Sequence, residues 1–170
     1  MIYNHLDFSH EGDLDIEELS RRVRALNPDA NIDLLNAAFI FAEENHRTQK
    51  RSSGEPYIIH PLNVAATLVK LKMDTDSIIA GILHDVVEDC DVSEEEIRER
   101  FGDEITLMVI GCTKISKIKF KTKEESQAEN FRKMVVAMAK DIRVIIVKLA
   151  DRMHNMLTLQ YVSKEKQVKK

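Results

Sequence analysis

Apolar residues return every three or four positions along most of this chain, the period of a helix rather than of a strand. Ile16, Leu19, Val23 and Leu26 share one face of a first predicted helix, which Asp13 or Asp15 can cap and Asn27-Pro28 stops. A second helix is expected over residues 32–46, where Leu35, Ala38, Phe39 and Ala42 recur at helical spacing. Residues 47–55 turn polar, with Gly54 and Pro56 marking a loop that carries Lys50 and Arg51. Pro61 suits the first position of a helix over 62–72, because its missing N–H has no partner to lose there. That placement pins His60 at a helix start. A strongly apolar helix is predicted over 75–89, and Ser93 with Glu96 forms a capping-box pattern for a short helix ending at Gly102. Further helices are expected over 103–113, 124–140 and 141–161. Residues 114–123 hold five lysines in ten positions, alternating with Ile118 and Phe120, and are the best candidate for a mobile segment, with a solvated loop as the simpler reading.

Composition supports this helical reading. Only 5 glycines and 3 prolines occur, aromatic residues are 5% and charged residues 32%, a mixture that favours helices. The fold class expected is all-α, a helical bundle, and 170 residues suit one domain with a sizeable core. A net charge of −4 gives no overall electrostatic footprint for nucleic acid or an anionic membrane, so any polyanion site must be local. Cys90 and Cys112 lie far apart, outside zinc or disulfide spacings. Free thiols, no signal-peptide pattern and no run of ~18 apolar residues point to a soluble cytoplasmic protein.

Two helices break their own pattern. The segment Ile78-Ile79-Ala80-Gly81-Ile82-Leu83 is apolar and then meets His84-Asp85-Val86-Val87-Glu88-Asp89. Ionisable groups in such surroundings cost several kcal/mol unless paired or bound to metal. In Val144-Ile145-Ile146-Val147-Lys148-Leu149-Ala150-Asp151-Arg152-Met153-His154-Asn155-Met156-Leu157-Thr158, the residues Lys148, Asp151, Asn155 and Thr158 form one polar stripe. A solvated stripe explains Lys148 or Arg152 as well as a functional one does; the apolar flanks argue against it for Asp151 and Asn155. His60 alone reads as a helix-capping imidazole. Taken together, His60, His84, Asp85 and Asp151 offer two nitrogens and two carboxylates from three helices, a set suited to manganese, iron or zinc.

The stretches Arg51-Ser52-Ser53-Gly54-Glu55-Pro56-Tyr57-Ile58-Ile59-His60-Pro61, His84 to Asp89 and Leu149-Ala150-Asp151-Arg152-Met153-His154-Asn155-Met156 resemble the HD-type hydrolase domain of the RelA/SpoT family. Gln127-Ala128-Glu129-Asn130-Phe131-Arg132-Lys133-Met134 matches as well, and the likeness runs in order from about residue 32 to 170. The resemblance implies an HD-domain helical bundle that hydrolyses guanosine tetra- and pentaphosphate, (p)ppGpp, to GDP or GTP plus pyrophosphate. It implies one Mn²⁺ held by His60, His84, Asp85 and Asp151, with Glu88 and Asp89 positioning or activating the attacking water. It also implies that Arg51 packs on the guanine, that Lys50, Ser53 and Asn155 help position the nucleotide, and that Thr158 lies near the base or ribose. Ser52 departs from the second basic residue of many relatives. The 127–134 stretch is closer to the long bifunctional enzymes, so further synthetase and regulatory domains are expected in a full-length chain, of which this would be the N-terminal part.

No Walker-type or G-x-G-x-x-G loop is present to cradle phosphates, so lysine, arginine and metal must serve. Rival readings are a hydrolase for another nucleotide and a helical module that binds the alarmone without turnover. A nucleic-acid-binding helical domain fits the negative charge least.

Overall fold

The computed structural model describes residues 8–116 and 141–169. Among these the chain is helical: α1 (Ile16–Leu26), α2 (Ile32–Asn45), α3 (Ile59–Lys70), α4 (Thr75–Leu83), α5 (Val86–Asp89), α6 (Glu94–Phe101), α7 (Asp103–Ser116), α8 (Arg143–Leu157), a 3₁₀ turn (Leu159–Tyr161) and α9 (Lys164–Lys169). The only β-type pairing among the described residues is one bridge between Lys50 and Pro56.

Local chemistry explains most boundaries. Asp15, rather than Asp13, caps α1 by accepting the Glu18 N–H, and Asn31 and Asp74 do the same for α2 and α4. Ser93 accepts the Glu96 N–H at the start of α6, but the Glu96 carboxylate pairs with Arg100 instead of closing the box. α3 begins at Ile59 and ends at Lys70, earlier at both ends than predicted. Pro61 therefore occupies the third helical position, where its missing N–H still falls among the unpaired donors of the first turn.

The core is built on α3 and α4. Residues His60 through Leu68 of α3 and Ser77 through Leu83 of α4 are all buried, so neither helix has a wet face. α3 packs against α1, α4 and α8, while α4 also meets α2 and α7. Gly111 lets α7 approach α8 closely: a Cβ there would lie 2.8 and 2.9 Å from the two methyls of Val144.

Two expectations need correction. The helix predicted over 75–89 breaks at His84 and Asp85, giving α4 and the single turn α5. The helix predicted over 141–161 ends at Leu157 and tightens into the 3₁₀ turn. The predicted helix 124–140, the 127–134 motif and all but the start of the lysine-rich segment lie outside the described residues; Lys114 itself belongs to α7.

Asn63 in α3 has a positional role. Its amide accepts the Glu11 N–H at 2.8 Å and donates to the Glu11 and Ile59 carbonyls at 3.0 and 2.9 Å. The Glu11 carboxylate is held by Arg22 of α1 and Lys70 of α3. The segment before α1 is thereby clamped across α3, which places His10 beside α8.

Candidate metal centre and adjoining cleft

His60 comes from the first turn of α3, His84 closes α4, Asp85 precedes α5 and Asp151 lies mid-way along α8. The packing of α3, α4 and α8 brings them together in the interior, with relative exposures of 1%, 0%, 8% and 4%. His60, His84 and Asp151 each present one ligand atom, all within 4.8 Å of one another. The Asp85 Oδ2 lies beside this trio, 2.9 Å from His84 Nε2 and 3.6 Å from His60 Nε2.

His84 and Asp85 keep near-helical backbone angles across the α4–α5 junction, φ/ψ −59/−27° and −104/−9°, so their side chains leave the backbone about 100° apart and meet at their tips, His84 Nε2 2.9 Å from Asp85 Oδ2. His84 Nδ1 donates to the Gly81 carbonyl at 2.8 Å, which satisfies a helix-terminal acceptor and leaves Nε2 facing the carboxylates. That Nε2 is wholly buried and makes no hydrogen bond, although Asp85 Oδ2 and Asp151 Oδ1 lie 2.9 and 3.8 Å away as carboxylate neighbours. An orphaned ring nitrogen among a second imidazole and two carboxylates fits a divalent cation of borderline character.

The electrostatics say the same. Burial by itself would lower the His84 pKa, but Asp85 and Asp151 outweigh it and push the imidazole up to about 9. Burial alone would raise both carboxyls, yet His84 and His60 hold Asp85 well below the usual range, and His60, His84 and Lys148 do so for Asp151. The cluster therefore calls for positive charge. Lys148, read from sequence as equally suited to solvent, turns inward: its Nζ is 2.8 Å from Asp151 Oδ2 and its side chain is 12% exposed. Arg152 is exposed, as the solvated reading expects.

Tyr57 joins the cluster to the surface. Its hydroxyl lies 2.7 Å from Asp85 Oδ2 and 3.1 Å from Asp89 Oδ2, so one phenolic proton serves two carboxylates. Burial and these two acidic neighbours push the phenol far above its ordinary range. The ring stacks on His46, with 4.4 Å between centroids. Glu88 and Asp89 occupy α5, the turn directly after Asp85, with Glu88 half-buried and Asp89 exposed.

Tyr57 also lines a cleft with Lys50, Arg51, Ser52, Ser53, Thr158, Tyr161 and Val162. The Arg51 loop is a closed turn: Arg51 N–H donates to the Glu55 carbonyl, Gly54 N–H donates back to Arg51, and Gly54 has φ +93°, which a side chain rarely adopts. Arg51 donates to Asn155 Oδ1 at 3.0 Å and Thr158 Oγ1 at 3.4 Å, and its guanidinium sits 5.7 Å from the Tyr57 ring centroid. Asn155 in turn donates to Asp151 Oδ1 at 2.5 Å. The stripe Lys148, Asp151, Asn155 and Thr158 thus faces the site. Ser53 is engaged by Glu55, its hydroxyl donating to Oε2 at 2.6 Å.

Sequence reasoning overlooked Tyr57, His154, His10 and Glu55. His154 Nδ1 lies 2.7 Å from His60 Nδ1, and its Nε2 lies 2.9 Å from His10 Nδ1. His10 Nε2 lies 3.0 Å from Glu55 Oε1. Burial, with His60, Arg51 and His10 nearby, lowers the His154 pKa to about 3, so this imidazole is neutral. Helical spacing from Asp151 could have flagged His154; nothing local pointed to His10.

A profile of the HD domain matches residues 38–170. A GTP pyrophosphokinase of Myxococcus xanthus is 51% identical over 150 residues, covering 86% of this chain and 20% of that protein. A probable guanosine-3′,5′-bis(diphosphate) 3′-pyrophosphohydrolase of Synechocystis is 58% identical over 134 residues, covering 79% and 18%. The bifunctional (p)ppGpp synthase/hydrolase SpoT of Escherichia coli is 46% identical over 143 residues, covering 84% and 20%. The chain spans about a fifth of the length of these curated relatives. A solved structure of a metazoan SpoT orthologue, described as hydrolysing ppGpp, superposes with a TM-score of 0.65 at 27% identity over 80% of this chain and 78% of that one.

Proposed function

We propose that this chain, which belongs to the HD domain family, hydrolyses (p)ppGpp to GDP or GTP plus pyrophosphate with Mn²⁺ held by His60, His84, Asp85 and Asp151. The observation that carries the reading is the wholly buried His84 Nε2, without a hydrogen bond and set among one imidazole and two carboxylates, next to the Arg51 cleft. The names of the relatives supply the substrate class.

When bound, a dication supplies positive charge that lowers the pKa of water towards ~7 and offsets charge developing on the 3′-phosphate. Every other part of the reaction falls to the protein. Glu88 and Asp89 on α5 take up the proton of the attacking water, a role typically worth about 10² to 10⁴ in rate. The Tyr57 hydroxyl holds the Asp85 and Asp89 carboxylates in register. Arg51 presents its guanidinium to the guanine, and Lys50, Ser53, Asn155 and Thr158 position the sugar and phosphates along the cleft. Asn155 links that cleft to the centre through Asp151.

Among the described residues no helix is long and apolar enough to cross a membrane. Cys90 and Cys112 form no disulfide, which suits a reducing cytoplasm. In a longer protein this region would act as the hydrolase unit beside synthetase and regulatory domains, as the name of the bifunctional relative suggests. No nucleic-acid partner is part of the reading.

The test is to strip the chain of metal, reload it with Mn²⁺, add (p)ppGpp and follow pyrophosphate and guanosine diphosphate. Manganese-dependent release that is lost in His84→Ala and Glu88→Ala is the expected result. Stoichiometric metal with no turnover would overturn the hydrolase reading in favour of a binding module or another nucleotide.

A further inference from the structure

Three imidazoles and a carboxylate run in single file from the cluster to the nucleotide loop. The order is His60, His154, His10 and Glu55, with successive contacts of 2.7, 2.9 and 3.0 Å. Successive members are 94, 144 and 45 positions apart in sequence, and His10 joins the line where Asn63 and the Glu11 clamp lay the segment before α1 across α3.

The contacts admit one proton arrangement compatible with a cation at His60. His60 turns Nε2 towards Asp151 and Asp85, at 3.3 and 3.6 Å. If that nitrogen offers its lone pair to a metal, the neutral ring carries its proton on Nδ1 and donates to His154 Nδ1. His154, with its Nδ1 accepting, carries its own proton on Nε2 and donates to His10 Nδ1. His10 then donates from Nε2 to Glu55 Oε1. The row ends on an acceptor-only carboxylate, which takes the proton of His10 Nε2 and agrees with the direction of the donors behind it. Reversing any link would put a proton on His60 Nε2.

We propose that Glu55, His10 and His154 are positioning residues that hold His60 in its metal-binding tautomer and orientation, and that they tie the metal centre to the Arg51 loop. The proposal rests on the metal-dependent reading above. Glu55 and Arg51 close the same turn through the Glu55 carbonyl, and Ser53 braces the other Glu55 oxygen. One side of the loop therefore reaches His60 through the imidazole row, while the other reaches Asp151 through Arg51 and Asn155. Partners that orient a metal-binding imidazole typically change metal affinity by about 10- to 100-fold.

The experiment titrates Mn²⁺ into the metal-free chain by calorimetry or by electron paramagnetic resonance, for the parent and for Glu55→Gln, His10→Ala and His154→Ala. The dissociation constant should rise about tenfold in the first two variants and up to about a hundredfold in the third. The metal-free melting temperatures of Glu55→Gln and His10→Ala should stay close to the parent. Long-range ¹H–¹⁵N spectra of the Zn²⁺-loaded parent should show His154 and His10 as Nε2–H tautomers. An Nδ1–H tautomer at His154 overturns the proposal, as does lowered thermal stability with unchanged Mn²⁺ affinity. If His154→Ala does not fold, the other two variants decide. A parent chain that binds no Mn²⁺ overturns the metal reading together with the row; equal binding by parent and variants overturns the row alone.

Discussion

Lys148 shows how much the surroundings of one residue decide its role. On a helix read in isolation it could point to water, yet it is packed 2.8 Å from Asp151 with its side chain 12% exposed. Burial lowers the pKa of an amine, but Asp151 and Asp85 raise this one above its ordinary value, so the lysine stays charged in the interior. Removing one partner of a buried pair leaves an uncompensated charge. Lys148→Met should therefore destabilise the metal-free chain by about 3 kcal/mol in urea unfolding. Excess Mn²⁺ should recover part of that loss, because a bound cation replaces the ammonium as counter-charge to Asp151. An equal loss with and without Mn²⁺ would mean that Lys148 acts by packing alone. The ligand candidates themselves were visible in the sequence as ionisable groups in apolar helices, whereas Tyr57 was hidden because nothing in its own segment shows which carboxylates its hydroxyl will meet.

At the level of elements, the contacts between helices set the site. α8 carries Asp151, Asn155 and the inward stripe, and its depth is fixed where Val144 packs on Gly111 of α7. A methyl group at residue 111 would press on both Val144 methyls, and a β-branched side chain cannot rotate away. Gly111→Ala should cost about 1–3 kcal/mol by thermal or chemical denaturation. Adding Val144→Ala should make the double variant less unstable than the sum of the two single changes, a coupling that a double-mutant cycle reads directly. The caps at Asp15, Asn31, Asp74 and Ser93 carry local signals that the sequence displays. The break after Leu83 is different, since the apolar period continues through it with Val86 and Val87 and displays no local stop signal.

Across the whole molecule, the segment before α1 acts as a strap. Glu11 joins it to Arg22 on α1 and to Lys70 and Asn63 on α3. The Arg22 guanidinium, reinforced by Lys70 and opposed by partial burial, holds the Glu11 pKa down at about 2 against 4.5 for the unperturbed group. A depressed carboxyl pKa stabilises the fold above the unfolded value and loses that contribution as pH falls through the folded one. Glu11 therefore stabilises fully above about pH 4.5 and ceases to do so near pH 2. Glu11→Gln should lower stability at neutral pH by about 1–2 kcal/mol after solvent screening of this partly exposed site. The gap from the parent should close between pH 4.5 and 2 in denaturation curves taken across that range. A constant gap would assign the effect to shape rather than charge.

The sequence by itself determined the helical class, most helix starts and the candidate chemistry of His60, His84, Asp85 and Asp151, because caps and apolar periods act over three or four residues and buried charge is conspicuous in an apolar run. The likeness in the Arg51, His84 and Asp151 stretches also pointed to one family. Only the tertiary structure decided that α4 stops at Leu83, that Lys148 faces inward, and that His10, 144 positions from His154, completes a row with Glu55. Such contacts depend on the angle and depth at which helices pack, and packing is set by the summed burial of many side chains rather than by any local pattern.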